Sequence, residues 1–174
     1  MDLQMWDERG LWLERQANTA AMKEHLGGVE PGDKLLERHQ RYLDTMRGRD
    51  GHMWLIVLPG SSDPVGSVGY WERDWAGEPV YEMGWKILPA FQGRGLAAEA
   101  TLATLNRLAP AAGRRWVHAY PKASNAASNA VCRKAGFTLL GETAFEYPKG
   151  TMIVSNDWRL DLSALLKNQA RTNQ

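Results

Sequence analysis

Hydrophobic positions recur at helical spacing in the first part of the chain and then in short runs that are typical of strands. The helical spacing covers residues 11–48 and predicts two helices, the second opening at Pro31-Gly32-Asp33. Beyond residue 50, apolar runs bounded by glycine, proline or polar turn residues predict strands. The predicted strands are 54–58, 65–72, 80–88, 116–120, 137–140 and 152–160.

Two further helices separate the later strands. They are predicted over 93–108 and 126–135, the second ending at Gly136. Strands joined through a helix tend to pair in parallel, whereas the strands 65–72 and 80–88 form a predicted hairpin and pair antiparallel. The pattern therefore predicts a mixed α/β (α+β) fold, with a parallel pair at the centre of a mostly antiparallel sheet and helices flanking it.

Length and composition narrow the class of protein. The chain has 174 residues, 44% of them hydrophobic, which predicts one domain over 1–174. No apolar run approaches the roughly 18 residues that a membrane span needs. The N-terminal residues lack the pattern of a secretory signal, and a single cysteine, Cys132, fits a reducing compartment. We expect a cytoplasmic protein with no membrane partner.

Charge is distributed unevenly, although the net value is only +1. Residues 1–99 contain 16 acidic and 11 basic residues, a net charge of −5. The stretch from Ala100 to Gly141 contains no acid and carries +6, which attracts phosphates. A pI near 7.9 and the absence of interleaved aromatic and basic residues argue against nucleic acid as a partner. One cysteine and four histidines without ligand spacing predict no metal site.

The junction between the strand 80–88 and the following helix is the first segment with candidate chemistry. It reads Gln92-Gly93-Arg94-Gly95-Leu96-Ala97. The first turn of a helix leaves backbone N–H groups unpaired at the positive end of the helix dipole. Since the residues here are small, those groups stay accessible, and the segment predicts a phosphate-binding turn.

Three known patterns use such a turn. A P-loop ends in Gly-Lys-Ser/Thr, whereas this chain has Gly95-Leu96-Ala97. A dinucleotide fingerprint requires an acidic residue about 20 positions later, where this chain has none. The pattern Gln/Arg-x-x-Gly-x-Gly/Ala is matched by 92–97.

A second segment selects among these readings. Asn125-Ala126-Ala127-Ser128-Asn129-Ala130-Val131-Cys132-Arg133-Lys134-Ala135-Gly136-Phe137 follows a predicted strand, about 30 residues after the first segment. Together, in this order, the two segments resemble the GNAT-type N-acetyltransferase superfamily, over about 52–162. The resemblance is closest to the branch of ribosomal-protein alanine and spermidine N-acetyltransferases.

The resemblance implies that acetyl-CoA binds in a V-shaped split between two central, splayed parallel strands. It implies that the backbone of Ile87 and Leu88 pairs with the pantetheine and that Asn125 hydrogen-bonds it. The pyrophosphate-binding N–H groups would belong to Gln92, Gly93, Arg94, Gly95, Leu96 and Ala97.

The resemblance also divides the chain into a helical substrate-side region (1–50), a cofactor-binding core (52–162) and a C-terminal tail (163–174). Family members begin with a strand before the first helix. Only 11–15 could supply that strand, and those residues merge into a helical pattern. The presence of the strand therefore stays open, and we expect remodelled substrate-side elements.

The implied reaction is direct attack of a primary amine on the thioester of acetyl-CoA in a ternary complex. At pH 7 only roughly one lysine amine in a thousand is neutral, so a base is valuable. Glu82, ten residues before Gln92, is the first candidate. His118 is the second, since it shares a strand face with Trp116 and Tyr120; water is a third.

The leaving thiolate needs a proton. Many superfamily members have a tyrosine where this chain has Cys132, and the branch it most resembles has a serine one turn earlier, at Ser128. The two residues are four apart and lie on one helix face. We predict Ser128 as the proton donor and Cys132 as a packing residue.

The leading hypothesis is thus an acetyl-CoA-dependent N-acetyltransferase. The alternatives are a non-catalytic acyl-CoA-binding module and an NAD(P)-binding protein. The acceptor is an amine on a small molecule, a protein N-terminus or a lysine, and the acidic first 99 residues favour a cationic acceptor. The oligomeric state stays open, with a homodimer as one option.

Overall fold

The computed structural model describes residues 1–48 and 50–172, with side chains up to residue 167. Seven strands and six α-helices lie within these residues. The strands are β1 (Asp2–Met5), β2 (Gly51–Val57), β3 (Pro64–Trp75), β4 (Glu78–Ile87), β5 (Trp116–Ala119), β6 (Thr138–Glu146) and β7 (Met152–Asp161). The helices are α1 (Arg9–Gln16), α2 (Ala20–Lys23), α3 (Gly32–Gly48), α4 (Leu96–Leu108), α5 (Ala126–Lys134) and α6 (Leu162–Thr172).

The strands form one sheet in the order β1-β2-β3-β4-β5-β7-β6. Neighbours pair antiparallel except β4 and β5, which are parallel and pair only at Tyr81–Val117 and Glu82–His118. Beyond Glu82 the two strands separate toward their carboxyl ends. This confirms the predicted mixed fold, with a splayed parallel pair at the centre of a mostly antiparallel sheet.

The N-terminal strand is present, but at residues that the sequence pattern does not single out. β1 pairs with β2 from Asp2–Val57 to Met5–Trp54, whereas residues 11–15 belong to α1. A four-residue strand is too short to show a period, and Met5 is exposed, so only the pairing partner defines it. At the other end α6 replaces the expected tail, because Leu162 is buried and its N–H donates to the carbonyl of Arg115.

The hairpin between β3 and β4 is confirmed and is longer than predicted. Its loop is Ala76-Gly77, and both residues have positive φ, 50° and 83°. Two successive positive φ values are typical of a type I′ turn, whose twist matches that of the flanking strands. The strands therefore continue to the loop on both sides, and the acidic and aromatic side chains at 71–75 lie on a regular ladder.

Apolar clusters lie on both faces of the sheet. Helices α4 and α5 cover one face, where Leu105 and Cys132 belong to the same buried cluster as Val117 of β5. Helices α1 and α3 cover the other, where Leu13 and Leu55 are fully buried. Burial of such side chains is the main source of stability in a layered domain. No helix within 1–48 and 50–172 has both the length and the apolar character that would be needed to cross a membrane.

On the α1/α3 face, one row across the sheet has glycine on both central strands. Met53, Gly69 and Gly84 are register partners on β2, β3 and β4. The Met53 sulfur lies over Gly69, and the Trp71 ring lies against Gly84. The two glycines therefore make room for the Met53 and Trp71 side chains, which pack across the sheet at this row.

We predict that Gly69→Ala destabilises the protein by about 1–3 kcal/mol, as expected for overpacking. A Cβ at Gly69 would lie 2.1 Å from the Met53 sulfur and 2.5 Å from the backbone oxygen of His52. Urea unfolding measures the change. Gly32→Ala is the matched control, since no atom lies within 4 Å of its added Cβ and the residue begins α3. Equal stabilities of the two variants would contradict the packing argument.

Candidate functional site

A cavity of about 530 Å³ lies on the α1/α3 face of the sheet, above the glycine row. Its walls come from α3, β3, β4, the segment that follows β5, and the end of β6. Glu82 lines it together with Asn125 and Ser128, which are neighbours at the start of α5 but far from Glu82 in the sequence. The structure therefore brings three of the predicted site residues together beside the point where β4 and β5 separate.

The loop between β4 and α4 has the backbone geometry of an anion-binding turn. Gly93 and Gly95 have φ of 75° and 79°, and a Cβ on either would meet no atom within 4 Å. The first helical hydrogen bond of α4 joins the Glu99 N–H to the Gly95 carbonyl at 3.1 Å, and no side chain caps this end. The N–H groups of 96–98 therefore have no acceptor within the helix, and the Arg94 side chain is exposed beside them.

Gln92 fastens this loop to the end of β4, since its side-chain Nε2 donates to the Ile87 carbonyl at 2.9 Å. Leu88 differs from the expectation. Its N–H donates to the Val65 carbonyl at 2.8 Å, and its carbonyl accepts from the Phe91 N–H at 2.9 Å. The N–H and C=O groups of Leu88 therefore both bond within the protein. Of the backbone groups expected to pair with the pantetheine, the Ile87 N–H is the one that remains.

Two backbone positions that the sequence reasoning missed face the gap between β4 and β5. Backbone groups of a strand alternate in direction, and Leu88 points toward β3. Ile87 therefore points toward the gap, together with Met83 and Trp85. Only the register of β4 against β3 shows this alternation.

Asn125 caps helix α5, because its Oδ1 accepts from the Ser128 N–H at 3.0 Å. The residue also lines the cavity. Behind it, the buried Asn129 Nδ2 donates to the carbonyls of Lys122 and Asn125, at 3.1 and 2.8 Å. Its Oδ1 accepts from Trp158 Nε1 at 2.8 Å. Asn129, which no functional argument from sequence singled out, thus holds the start of α5 against β7.

Glu82 is largely buried in the cavity wall. Arg73 Nη1 lies 2.5 Å from its Oε2, and burial raises the pKa of the Glu82 carboxyl although Arg73 acts in the opposite direction. The guanidinium carbon of Arg73 lies 5.4, 5.5 and 4.5 Å from the ring centres of Trp75, Tyr120 and Phe145. The carboxylate is therefore held in a fixed place, with a raised pKa that suits a proton acceptor.

His118, the second candidate base, is not at the cavity. It is 3% exposed, and its Nδ1 lies 2.6 Å from Asp157 Oδ1. The other Asp157 oxygen accepts from Trp75 Nε1 at 2.9 Å. The His118 ring stacks on the Tyr120 ring. Although the two side chains lie on the same side of the chain, only Tyr120 lines the cavity, and His118 is packed in the interior.

Of the two candidate proton donors, Ser128 lines the cavity and Cys132 does not. Cys132 is fully buried in the core, and burial raises the pKa of its thiol to about 12. Tyr120 is a third hydroxyl in this region. It lines the cavity, its oxygen is buried, and it has no hydrogen-bond partner among the described residues.

The acid-free stretch does not form one continuous basic surface. Arg114 pairs with Glu72 at 2.5 Å and Arg115 pairs with Asp161 at 2.6 Å, both before β5, at the end opposite the α4 turn. The Arg115 hydrogen bond lowers the pKa of Asp161. Lys122 lines the cavity after β5. Two of the six bases are therefore neutralised by acids that lie elsewhere in the sequence.

A buried charged network that the sequence reasoning missed lies at the helical end of the cavity. Glu14 is fully buried; one oxygen pairs with Lys86 Nζ, and the other lies 3.1 Å from Arg38 Nη1. Arg38 also pairs with Glu30, whose second oxygen lies 2.5 Å from Lys23 Nζ. Although burial opposes it, hydrogen bonds from Arg38 and Lys23 lower the pKa of Glu30 to about 2.

A sequence signal for this network exists. Glu14 occupies the buried face of α1 together with Gly10 and Leu13, where an apolar residue is expected. A carboxylate at such a position implies a buried basic partner.

The described residues contain no group of three or more His, Cys, Asp or Glu arranged to hold a metal ion.

Comparison with known proteins gives the same fold. Three solved structures are similar: RimL, a ribosomal L7/L12 alpha-N-protein acetyltransferase, in complex with coenzyme A; the aminoglycoside acetyltransferase AAC(6')-Ib with coenzyme A; and a ribosomal-protein-S5-alanine acetyltransferase from Vibrio fischeri. Their TM-scores are 0.76, 0.77 and 0.72, at identities of 20%, 17% and 13%. The alignments cover 93%, 96% and 92% of this chain and 94%, 98% and 91% of the other chains.

At these identities the likeness shows a shared fold. The family is shown separately, because the sequence pattern of the acetyltransferase (GNAT) domain matches residues 6–138, more than half of the chain. The order of elements and the separation of β4 from β5 agree with that match. The chain belongs to the GNAT acetyltransferase domain family.

Proposed function

We propose that the protein transfers an acetyl group from acetyl-CoA to a primary amine. One observation carries the proposal: β4 separates from β5 just after Glu82, whose largely buried carboxylate lies in the cavity wall, and the same strand leads into the anion-binding turn at 93–98. Two of the similar structures, RimL and AAC(6')-Ib, are complexes with coenzyme A, which supports the choice of cosubstrate.

The residues of the chain suit the cosubstrate. Gly93 and Gly95 leave open space above the N–H groups at the start of α4, as a pyrophosphate requires. The strand edge at Met83, Trp85 and the Ile87 N–H offers backbone partners for the amides of a pantetheine arm. Asn125 lines the cavity at the start of α5. When bound, acetyl-CoA supplies the acetyl group as a reactive thioester.

The remaining chemistry belongs to side chains in the cavity wall. Glu82 accepts a proton from the attacking amine, and its burial keeps the carboxyl pKa closer to that of a useful base. As the new C–N bond forms and the C–S bond breaks, the Ser128 hydroxyl donates a hydrogen bond and a proton to the departing sulfur. The Ser128 oxygen regains a proton from the solvent that fills the open cavity.

Release of free thiol from acetyl-CoA in the presence of pooled amines tests the proposal as a whole. We expect amine-dependent release and a melting temperature that CoA raises and NAD(P) leaves unchanged. Stabilisation by CoA without thiol release would instead identify a non-catalytic acyl-CoA-binding module. Stabilisation by NAD(P) alone would overturn the assignment of the cosubstrate.

We predict that Gly95→Val lowers CoA affinity at least tenfold. A β-branched side chain would occupy the open space above the first turn of α4, where the pyrophosphate lies in the proposed complex. Calorimetric titration with CoA measures the loss. Gly60→Val is the matched control, because Gly60 has φ of 78°, equally open surroundings and a place in a distant turn. It carries the same backbone strain, so an equal loss of affinity in both variants would contradict a specific role of Gly95.

We predict that Glu82→Gln lowers kcat/KM by roughly 10²–10⁴-fold near pH 7, the usual contribution of a general base. The wild-type rate rises with pH as the Glu82 carboxyl ionises, and burial moves that rise upward. The deficit of the variant should shrink at high pH, where the amine is already neutral. A pH–rate profile measures this, with Glu78→Gln, an exposed carboxylate on the same strand, as control. A loss of equal size at every pH would indicate positioning instead of proton transfer.

We predict that Ser128→Ala lowers kcat at least tenfold under saturating acetyl-CoA, or roughly 1.4 kcal/mol of transition-state stabilisation. Cys132→Ala should leave kcat within a factor of about three and lower the thermal stability, because it opens a cavity in the core. Steady-state kinetics and melting curves of both variants measure this. The reverse pattern, with kcat lost in Cys132→Ala alone, would show that the assignment is wrong.

A further inference from the structure

The basic groups at the helical end of the cavity outnumber their acidic partners. Lys23, Arg38 and Lys86 all line the cavity, and the carboxylates that pair with them are Glu14 and Glu30. The Lys23 side chain is only 5% exposed and that of Arg38 11%. Three cations against two carboxylates leave a local excess of one positive charge at this end of the cavity, which a further anion would offset.

Burial, with Arg38 acting in the same direction, lowers the pKa of both the Lys23 and the Lys86 ammonium groups. An anion bound beside them would therefore favour their charged forms. Among the described residues, the cavity as a whole is lined by six basic and four acidic side chains: Lys23, Arg38, Arg41, Arg73, Lys86 and Lys122, and Asp50, Glu72, Glu82 and Glu146.

A second and independent observation lies directly beside Lys86. Ser67 is its register partner on β3, on the same face of the sheet. The Ser67 side chain is fully buried and lines the cavity, and its hydroxyl has no hydrogen-bond partner among the described residues. Buried hydroxyls in folded proteins nearly always have a partner, so this one is free to donate to a bound ligand.

The spacing of residues along β4 gives the distance between Lys86, at the basic end of the cavity, and Glu82, the proposed base. Glu82, Gly84 and Lys86 point to the same face of the strand, and the Cα atoms of the outer two lie about 13 Å apart at the usual rise of a strand. The Trp71 ring lies against Gly84, and Trp71 lines the same cavity as Glu82 and Lys86, so the path between the two ends runs along this ring. A ligand whose amine lies at Glu82 can therefore extend along the ring and reach Lys86 and Ser67.

We propose that the acceptor carries a carboxylate in addition to its amine, and that Lys86, Arg38, Lys23 and the Ser67 hydroxyl bind this carboxylate. The proposal rests on the proposed function and names the substrate class for it. An α-amino acid is too short to reach both ends, so the two groups belong to an extended molecule: a straight-chain ω-amino acid, or a peptide with an acidic residue near its free N-terminus.

This inference reverses the expectation drawn from the charge of residues 1–99. The negative balance of that part lies largely on exposed side chains such as Glu8, Glu24 and Glu37. The charged residues that line the cavity are mostly basic, because Lys23 of α2, Arg38 of α3 and Lys86 of β4 point inward.

Matched pairs of acceptors test the proposal. Straight-chain ω-amino acids are compared with their carboxamides, and the peptide amide Ala-Ala-Glu with Ala-Ala-Gln; the two arms separate the small-molecule from the peptide source. We expect the wild-type enzyme to prefer the carboxylate of at least one pair by at least tenfold in kcat/KM. Binding of the same probes to the protein–CoA complex, measured by calorimetry, should show the same preference.

Lys86→Met should reduce the preference to within about twofold while kcat/KM for the carboxamide changes much less. Ser67→Ala, a smaller change in a fully buried position, should reduce the preference about threefold or more. Lys34→Met is the matched control, because Lys34 lies on the exposed surface of α3 and pairs only with Glu37 among the described residues. It should retain the full preference.

The outcomes separate this inference from the proposed function. Acetylation of amines without any carboxylate preference, or a preference that survives both Lys86→Met and Ser67→Ala, overturns the inference and leaves the function intact. Carboxylate-selective binding without acetylation of any amine supports the binding site and overturns the proposed function.

Discussion

The separation of β4 from β5 is the constraint on which the site depends. The two strands share only two paired positions, ending at Glu82 and His118, and then diverge. Buried backbone N–H and C=O groups require partners, so an open strand edge inside a sheet is stable only if something else supplies them. Part of that supply is internal, since Gln92 takes the Ile87 carbonyl. The rest of the edge is available to an extended ligand.

Both sides of the gap are fixed by buried polar contacts. Asn129 ties the start of α5 to β7 through Trp158, so the β5 side cannot close toward β4. On the β4 side, Leu88 bonds to Val65 and Phe91, which sets where the strand ends and the α4 turn begins. Because buried hydrogen bonds are costly to leave unmade, each of these contacts favours one geometry of the gap over alternatives. The opening is therefore a feature of the folded chain itself.

The buried charges at the helical end of the cavity position elements of the fold and contribute little to its stability. Replacing buried ion pairs by apolar side chains is often neutral or stabilising, so Glu14 and its partners are poor explanations of stability. Their arrangement does fix α1, α3 and β4 relative to one another, through Arg38 and Lys86. The same contacts place basic groups along the wall of the cavity. The carboxylate of Glu82 and the basic wall beyond it give the cavity two chemically distinct ends.

The sequence alone determined the fold class and the turn at 92–97, because hydrophobic periodicity and turn residues are features of neighbouring positions in the chain. Glycine at positive φ and small residues in the first turn of a helix act through local backbone geometry. Tertiary structure decided what depends on pairing between distant segments. It placed β1 at 2–5, used both backbone groups of Leu88, buried His118 against Asp157, and gathered Glu14, Arg38 and Lys86 into one network. Strand register and buried charge pairs join residues tens of positions apart, and local patterns in the sequence do not show which of these residues will meet.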